Sequence, residues 1–423
     1  MITGRDIVII SSIDWNFLWQ VHQEIALRFA QTGNRVFYIE NTGVRAPRLS
    51  DAGRILSRLR NWTRAARAHG VGQVAANVSV ISPLMLPPFS SLGRLANPFL
   101  FSLMVKRTLT RLRVRDPIIW TYLPTDTALD IIRDLRTPKS KVIYYCVADF
   151  SQLTSDRRRL QEVERRLIRE SDLVFANSSQ VAEHCRQWSN DVHVFPPGVD
   201  FTKFVKNGEP VPTVDQSITN RARPPASSSN GSFLASLPQP VIGYVGGLHR
   251  FVDYDLLAAL ARARPDWSWA FVGPVHTKIG QLATLPNVFF LGQKQHDELA
   301  PLIRDFDVCL VPYLINASTV TIAPVKINEY LAVGKPIVST ELPTVCEFNR
   351  EHEVVIIAQN DSQSFLEAIE EALQQPKDPQ TVARRREIAA LGDWHHRFNA
   401  MNDLIEDKMG IEDLHPESFA AKR

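Results

Sequence analysis

The chain has 423 residues, of which 44% are hydrophobic and 22% charged, so it is neither a disordered nor a fibrous protein. Its length exceeds what one ordinary core fills, and two domains are therefore expected. The four cysteines lie far apart and form no Cys-x-x-Cys pair, which argues against a disulfide scaffold and a zinc ribbon and indicates a reducing compartment.

The net charge of +3 is unevenly distributed along the chain. Residues 45–115 contain twelve arginines and one lysine against a single acid, Asp51. Such asymmetry is typical of a face that meets a polyanion or an anionic membrane. No signal peptide is evident, and the most lipophilic stretch, 96–105, is shorter than the about 20 apolar residues that a spanning helix needs. We therefore expect a cytoplasmic protein.

Short apolar runs alternate with helical patterns in the first half of the chain, which predicts an α/β fold with a parallel sheet. A helix is expected over 20–31, with Gly33 as the left-handed residue that ends it, and another over 162–170. The predicted strands are Ile7–Ser11, Arg35–Glu40, Val78–Ser82, Ile118–Tyr122, Lys141–Cys146, Leu173–Asn177 and His193–Pro196.

Residues 205–237 are polar and rich in proline and serine, which predicts a flexible linker or loop. The alternation then resumes, with strands predicted at Val241–Val245, Trp269–Val272, Val288–Leu291, Val308–Val311, Pro336–Ser339 and Val354–Ile357. We predict one domain over 1–204 and a second over 238–392, followed by a helix over 393–409 and a tail over 410–423. Ligands of open parallel sheets bind at the carboxyl ends of the strands.

The second half carries a specific run of residues, in which Pro324-Val-Lys326-Ile-Asn-Glu329 is followed by Gly334-Lys-Pro336. This run resembles the donor-site signature of GT-B glycosyltransferases, close to family-4-type enzymes of bacterial exopolysaccharide and teichuronic acid synthesis. The resemblance implies two Rossmann-like, doubly wound domains that face a cleft. The first would bind the acceptor and the second a UDP- or GDP-type nucleotide sugar, with UDP expected, while the terminal helix packs back on the first domain.

Lys326 and Glu329 have the chemistry that a nucleotide diphosphate sugar requires. Lys326 would place a positive charge on the diphosphate at the N-terminus of a helix, where free N–H groups and the helix dipole favour anions. Glu329 lies on the same side of that helix, and the resemblance implies that its carboxylate binds the ribose hydroxyls. The alternative is a solvated ion pair between the two side chains.

Other donor-site residues are expected on both sides of this pair. Gly246 and Gly247 follow a buried strand and allow the backbone to approach phosphates closely, although a Gly-Gly turn is common in α/β proteins. His249 and Arg250 come directly after them. Their side chains either reach the diphosphate or are solvated at the protein surface.

One position departs from the family pattern. Family-4-type enzymes usually carry a second glutamate eight residues before the ribose-binding one, and Thr321 stands there in this chain. Thr321 and Ile322 are expected to line the sugar half of the donor site with hydroxyl and backbone groups instead. The departure leaves the sugar and the stereochemical course open.

Candidate catalytic residues follow strand ends in the first half. Asp149 lies beyond the strand 141–146, and enzymes resembling xanthan-type glucuronosyltransferases have an aspartate facing the acceptor in a similar context. A partly desolvated carboxylate acts as a general base, while a helix N-cap is the alternative. The loop after the first strand offers His22 as a second base. It also offers Trp15 and Trp19 for sugar stacking or for core packing.

Two Asp-x-Asp triplets, 253–255 and 305–307, superficially suggest a metal-dependent transferase. Neither has the adjacent oxygen-rich cluster that a hard divalent ion needs, and both suit helix ends. Because Lys326 and a helix dipole would neutralise the diphosphate, neither a metal nor a cofactor is expected.

The basic segment 45–115 combines a pattern over 54–67 that predicts an amphipathic basic helix with apolar and aromatic residues over 84–104. Cations beside apolar residues predict attachment to an anionic membrane surface, which here would be the inner face of the plasma membrane. The alternative is that the apolar residues pack into the core. A nucleic-acid partner is not expected, because no basic groove with stacking residues is evident.

Together these features predict a metal-independent hexosyltransferase that acts on a saccharide or lipid-linked acceptor in cell-surface polysaccharide synthesis. Two alternatives remain open, a nucleotide-sugar 2-epimerase of the same fold and a nucleotide-binding protein without transfer activity.

Overall fold

The computed structural model describes residues 1–16, 19–40, 71–83, 92, 95–97, 99, 102–148, 150, 156–205 and 231–410. The chain divides into two compact units, one formed by Met1–Pro196 with Phe398–Arg423 and the other by Pro197–Arg397. Most of the predicted linker, the tail beyond residue 410 and the predicted helix over 54–67 lie outside the described residues.

The first unit contains a sheet of eight strands in the order β3-β4-β2-β1-β5-β6-β7-β8. All neighbouring strands are parallel except β3 and β4. All five residues of the central strand β1 are buried, as expected where helices cover both faces of a sheet. The strands are β1 Asp6–Ile10, β2 Arg35–Ile39, β3 Val71–Ala75, β4 Val78–Ile81, β5 Ile118–Thr121, β6 Lys141–Cys146, β7 Leu173–Ala176 and β8 Val192–Val194.

Helices connect these strands, and their starts follow the usual capping chemistry. The side chains of Thr125, Asp156 and Ser178 each accept a hydrogen bond from a backbone N–H in the first turn of the helix that follows. Gly33 has φ +86°, which confirms the left-handed residue predicted after the first helix. The helices are α1 Val21–Gln31, α2 Arg107–Arg111, α3 Asp126–Leu135, α4 Arg157–Glu170 and α5 Ser179–Arg186, with a π-helical turn over Ser102–Lys106.

The second unit contains a fully parallel sheet of six strands in the order β11-β10-β9-β12-β13-β14. In chain order this is 3-2-1-4-5-6, the arrangement of a doubly wound dinucleotide-binding sheet. The order reverses between β9 and β12, and ligands of such sheets bind beyond the carboxyl ends of the strands at this point. The strands are β9 Val241–Val245, β10 Ser268–Val272, β11 Val288–Gly292, β12 Val308–Val311, β13 Ile337–Thr340 and β14 Val355–Ala358.

One helix of the second unit, α10 at Lys326–Val333, is buried along its whole length. The backbone N–H of Val245 donates a hydrogen bond to the hydroxyl of Tyr330 at 2.8 Å, which fixes α10 against the end of β9. The other helices of this unit are α6 Phe201–Phe204, α7 Gly231–Ala235, α8 Tyr254–Ala263, α9 Leu299–Arg304, α11 Pro343–His352, α12 Ser362–Gln374 and α13 Pro379–Leu391. The last helix, α14 Trp394–Met409, begins at the end of the second unit and belongs from Phe398 onward to the first.

The structure confirms the predicted α/β fold with two parallel, doubly wound sheets. Every predicted strand is present, with its bounds shifted by two residues or fewer, whereas β3 was not predicted. None of the described helices combines the length and the apolar character required to cross a bilayer.

Candidate functional site

A tight glycine turn lies at the carboxyl end of β9, where the strand order of the second unit reverses. The N–H of Gly246 donates to the carbonyl oxygen of Val272 at 2.8 Å, and its φ is +137°. A Cβ on Gly273 would lie only 2.1 Å from the carbonyl oxygen of Gly246. The ends of β9 and β10 therefore approach so closely that side chains are excluded, as in backbone turns that receive phosphates.

Lys326 is the first residue of α10, and its ammonium group reaches the same turn. Its Nζ would lie 3.2 Å from a Cβ on Gly246 and lies 5.0 and 4.8 Å from the ring centres of Tyr244 and Tyr313. It also donates a hydrogen bond to the Tyr313 hydroxyl. Cation–π attraction and this hydrogen bond hold the positive charge in an aromatic corner beside the glycine turn.

Glu329 lies one helical turn after Lys326, and both side chains are largely buried, with 8% and 9% of their surface exposed. Among the described residues, neither has a partner of opposite charge within 4.0 Å. The solvated ion pair on a helix surface is therefore not observed. A buried charge without a counter-charge is costly, and such charges are typical of sites that bind a charged ligand.

Two histidines border the same turn. The rings of His249 and His276 are stacked, with centroids 4.3 Å apart and planes 7° apart. Burial, followed by the charges of His276 and Lys326, lowers the pKa of His249 to about 4, so this ring is neutral near pH 7. Arg250 is exposed at the end of the turn. Of these residues, only His276 was missed by the sequence prediction.

The segment between β12 and α10 contains Thr321 and Ile322, which were predicted to line the sugar half of the site. The buried Thr319 donates through its hydroxyl to the carbonyl oxygen of Leu314 at 2.6 Å. Ile322 packs against the core, and its carbonyl oxygen accepts a hydrogen bond from Thr344 at 2.5 Å. Thr321 is half-buried in the turn just before α10. The segment is thus anchored to the second unit at several points.

The two Asp-x-Asp triplets have structural partners. Asp253 accepts a hydrogen bond from the N–H of Leu256 at 2.9 Å and caps α8. Asp307 accepts from the N–H of Val241 at 2.9 Å and contacts Lys377 at 3.0 Å. Within the described part of the chain there is no group of three metal-ligating side chains.

In the first unit the strand order reverses between β1 and β5, and His22 lies at that point. Its Nε2 is 2.7 Å from the hydroxyl oxygen of Ser12, and its ring lies 3.8 Å from that of Tyr122. Burial lowers the pKa of His22 to about 3. Burial thus weakens the basicity of the ring in the ligand-free protein, and the role of His22 as a general base stays a prediction.

The other predicted acceptor-side residues are only partly described. Asp149 lies outside the described residues, three positions after β6 ends at Cys146. Trp15 packs edge-on against Tyr38, with ring centroids 5.1 Å apart, and is partly exposed. The indole N–H of Trp19 donates to Glu24 at 3.0 Å, and its ring is exposed.

Sequence reasoning also missed Tyr244, Gly273 and Tyr313. Each lies within or directly after a buried strand on the carboxyl side, which is the signal that could have identified them. An aromatic residue near a strand end is too common to be informative without the positions of its neighbours.

Comparisons with known proteins agree with this architecture. Residues 239–375 match the family described as Glycosyl transferases group 1. A curated relative from Bacillus subtilis (strain 168), named "Putative teichuronic acid biosynthesis glycosyltransferase TuaH", is 26% identical over 275 residues, or 61% of this chain. The match spans 65% of the length of that relative.

Solved structures match almost the whole chain. Sucrose-phosphate synthase (tll1590) from Thermosynechococcus elongatus has a TM-score of 0.67 at 18% identity, covering 99% of this chain and 100% of that one. Anabaena Alr3699/HepE in complex with UDP has a TM-score of 0.62 at 16% identity, covering 95% and 99%. The chain therefore has the predicted GT-B fold, and its second unit contains a domain that matches the group 1 glycosyltransferase family.

Proposed function

We propose that this chain transfers a sugar from a UDP-sugar to a saccharide or lipid-linked acceptor in cell-surface polysaccharide synthesis. The observation that carries the proposal is the Lys326 ammonium, which is buried without a carboxylate partner among the described residues and lies beside the glycine turn at the switch point of the sheet. A negatively charged diphosphate is the counter-charge that suits this position.

The arrangement around Lys326 suits each part of a nucleotide diphosphate. The N-terminus of α10 offers the positive end of the helix dipole, and no side chain caps it. The Gly246–Gly247 turn brings the backbone close to the Lys326 ammonium and the two histidine rings without an intervening side chain. Glu329, on the same helix, would bind the ribose hydroxyls, and Thr321 and Ile322 would meet the transferred sugar. The solved structure of the neighbour HepE with UDP supports uracil as the base.

The departing diphosphate gains negative charge as the glycosidic bond breaks. Lys326 and the α10 N-terminus would stabilise this charge through preorganised positive groups, without a bound metal ion. Activity that is unchanged by a chelator such as EDTA would support metal independence.

On the acceptor side, we assign the general base to Asp149. Because burial lowers the pKa of the His22 ring, we give this side chain the part of holding or orienting the acceptor by hydrogen bonding. Its buried Nδ1 has no hydrogen-bond partner among the described residues.

We further propose that the first unit docks on the inner face of the plasma membrane. Residues 95–97 are helical, and the side chain of Asn97 is buried, with its Nδ2 3.3 Å from the Thr127 hydroxyl. Leu95 and Phe99 are 81% and 70% exposed. Side chains four residues apart share one face of a helix, so the anchored Asn97 leaves two large apolar side chains facing solvent. Exposed cations, including Arg107 and Arg111, follow in the chain.

A panel of nucleotide sugars, offered with and without undecaprenyl-linked saccharides, separates the possible activities. Release of nucleotide that depends on the acceptor would support the transferase. Conversion of the donor into its 2-epimer would identify an epimerase. Thermal protection by the nucleotide sugar without any turnover would identify a binding protein. Protection by neither UDP- nor GDP-sugars would rule out the proposed donor site.

A further inference from the structure

The stacked histidines are held in place by the backbone at the ends of two adjacent strands. His249 follows β9 and His276 follows β10, and a backbone bridge joins Leu248 to Val275 between them. The N–H of His276 donates to the carbonyl oxygen of Leu248 at 3.0 Å. The parallel rings are therefore a consequence of strand pairing and not of a chance surface contact.

The ring pair also occupies the space beside the glycine turn. A Cβ on Gly247 would lie 2.5 Å from His249 Nε2 and 3.3 Å from His276 Cδ2. The absence of side chains at Gly247 and Gly246 lets both rings and the Lys326 ammonium reach the same turn. Phosphate oxygens bound at the turn would therefore meet two imidazoles and one ammonium group.

No counter-charge faces the pair among the described residues. Neither ring nitrogen of His249 or His276 has a hydrogen bond or an ion pair there. The groups around them are Lys326 on α10, whose charge acts on His249, the exposed Arg250, and the phenols of Tyr244 on β9 and Tyr254 on α8. Burial raises the pKa values of both phenols well above their ordinary range, so they stay neutral.

We propose that His249 and His276 form a proton-linked subsite for the donor diphosphate, in which the stacked pair takes up a proton as the diphosphate binds. This inference rests on the proposed nucleotide-sugar site and adds to it a pH-dependent affinity. In the free protein, burial and the neighbouring cations keep His249 neutral. A bound diphosphate would raise the pKa of the ring, because its negative charge favours the protonated form.

The direction of the pH dependence follows from this linkage. The free His249 ring is protonated only below about pH 4, and the same ring would be protonated at a higher pH in the complex. Between these two pKa values, binding takes up a proton, so affinity rises as the pH falls. Above the higher value the affinity is constant. We expect binding about ten-fold tighter at pH 5.5 than at pH 8.

The probe must not titrate in this range itself. A terminal phosphate monoester ionises near pH 6 and would produce its own pH dependence. UDP-glucose and GDP-mannose are diphosphate diesters without such an ionisation, so the tighter of the two is the probe. Calorimetry in two buffers of different ionisation enthalpy then measures the number of protons taken up.

The matched variants are His249→Gln with His276→Gln, which keep polar side chains but do not titrate, and His352→Gln as the control. His352 ends α11 just before β14 begins and so lies at the opposite edge of the sheet. The double variant should bind with no proton uptake and with the same affinity at pH 5.5 and pH 8. The control should behave as the wild type does.

The outcomes distinguish this inference from the proposed function. A wild-type protein that binds the probe without proton uptake would overturn the histidine subsite and leave the donor site intact. Proton uptake that persists in the double variant would also overturn it. A wild-type protein that binds neither probe at any pH would overturn the donor site and the histidine subsite together.

Discussion

The ammonium group of Lys326 donates a hydrogen bond to the hydroxyl of Tyr313, whose ring centre lies 4.8 Å from the same nitrogen. Tyr313 follows β12, and its backbone is held by Thr340, whose hydroxyl donates to the Tyr313 carbonyl oxygen at 2.8 Å. The lysine is thus positioned by residues from two strand ends before any ligand arrives. A preorganised charge loses less conformational freedom on binding.

Replacement of Lys326 by alanine should greatly weaken nucleotide binding, because a buried charge-assisted contact is worth about 2–5 kcal/mol. The expected loss of affinity for UDP, measured by calorimetry, is about 30-fold or more. Lys377→Ala is the matched control, since Lys377 pairs with Asp307 at the other end of β12. Unchanged UDP affinity in Lys326→Ala would show that the site is elsewhere.

Tyr313→Phe removes one hydroxyl and keeps the ring beside Lys326. A hydrogen bond to a charged group contributes about 1.5–3 kcal/mol, so the free energy of unfolding of the ligand-free protein should fall by that amount. Tyr254→Phe is the comparison, because its hydroxyl donates only to a backbone carbonyl, that of His249. Its loss should cost about 1 kcal/mol. Equal losses in urea titrations would argue against the special contact with Lys326.

Gly273→Ala should disrupt the turn that receives the phosphates. Gly273 has φ +147°, and a Cβ there would meet the Gly246 carbonyl oxygen at 2.1 Å. We expect a loss of stability of about 3 kcal/mol or more, together with loss of nucleotide binding. Gly280→Ala serves as the control, since Gly280 has φ +58° with open space around it and should cost about 1 kcal/mol. Similar melting temperatures for the two variants would contradict the steric argument.

Local patterns predicted most of the fold because buried parallel strands are continuous apolar runs. β6, β9 and β12 have the predicted bounds. The strand β3 was missed because it includes Gly72 and Gln73 and pairs only with β4 at the sheet edge, where no continuous apolar run is needed.

The site residues also divide into those that a local sequence pattern indicates and those whose position depends on strand pairing. Lys326 and Glu329 share one helix, so their spacing, together with the resemblance to a known signature, was sufficient to predict that they act together. Tyr313 and His276 reach the site only because β12 and β10 flank β9, an order that depends on strand pairing across the sheet. The weak basicity of His22 depends on its complete burial, which no spacing in the sequence reveals.

Leu95→Ser with Phe99→Ser should weaken attachment to vesicles that contain anionic lipids, because two exposed apolar anchors are lost. Each fully buried side chain of this size contributes about 1.5–3 kcal/mol, so the bound fraction in flotation should fall at least about ten-fold. Val275→Ser with Phe290→Ser, exposed in the second unit, is the control. Attachment that is equal in both variants, or equal on neutral lipids, would refute the docking face.

The buried His22 should make the protein less stable in mild acid. Its pKa is about 3 in the folded chain and about 6.5 when exposed, so the unfolded chain binds more protons between these values. Stability is then fully present above about pH 6.5 and is lost as the pH falls, by about 1.4 kcal/mol per unit.

Other groups also titrate in this range. The quantity to compare is therefore the loss of unfolding free energy on acidification in the wild type and in His22→Gln. Urea unfolding at pH 7 and pH 5 should show that the wild type loses about 2 kcal/mol more than the variant. Glutamine retains a polar group near Ser12 but cannot take up a proton, which isolates the titration from the loss of packing. If both proteins lost the same stability, the His22 ring would have to be protonated in the folded chain, and its assignment as a neutral hydrogen-bonding group would fail. In that case His22 would again be a candidate for the general base.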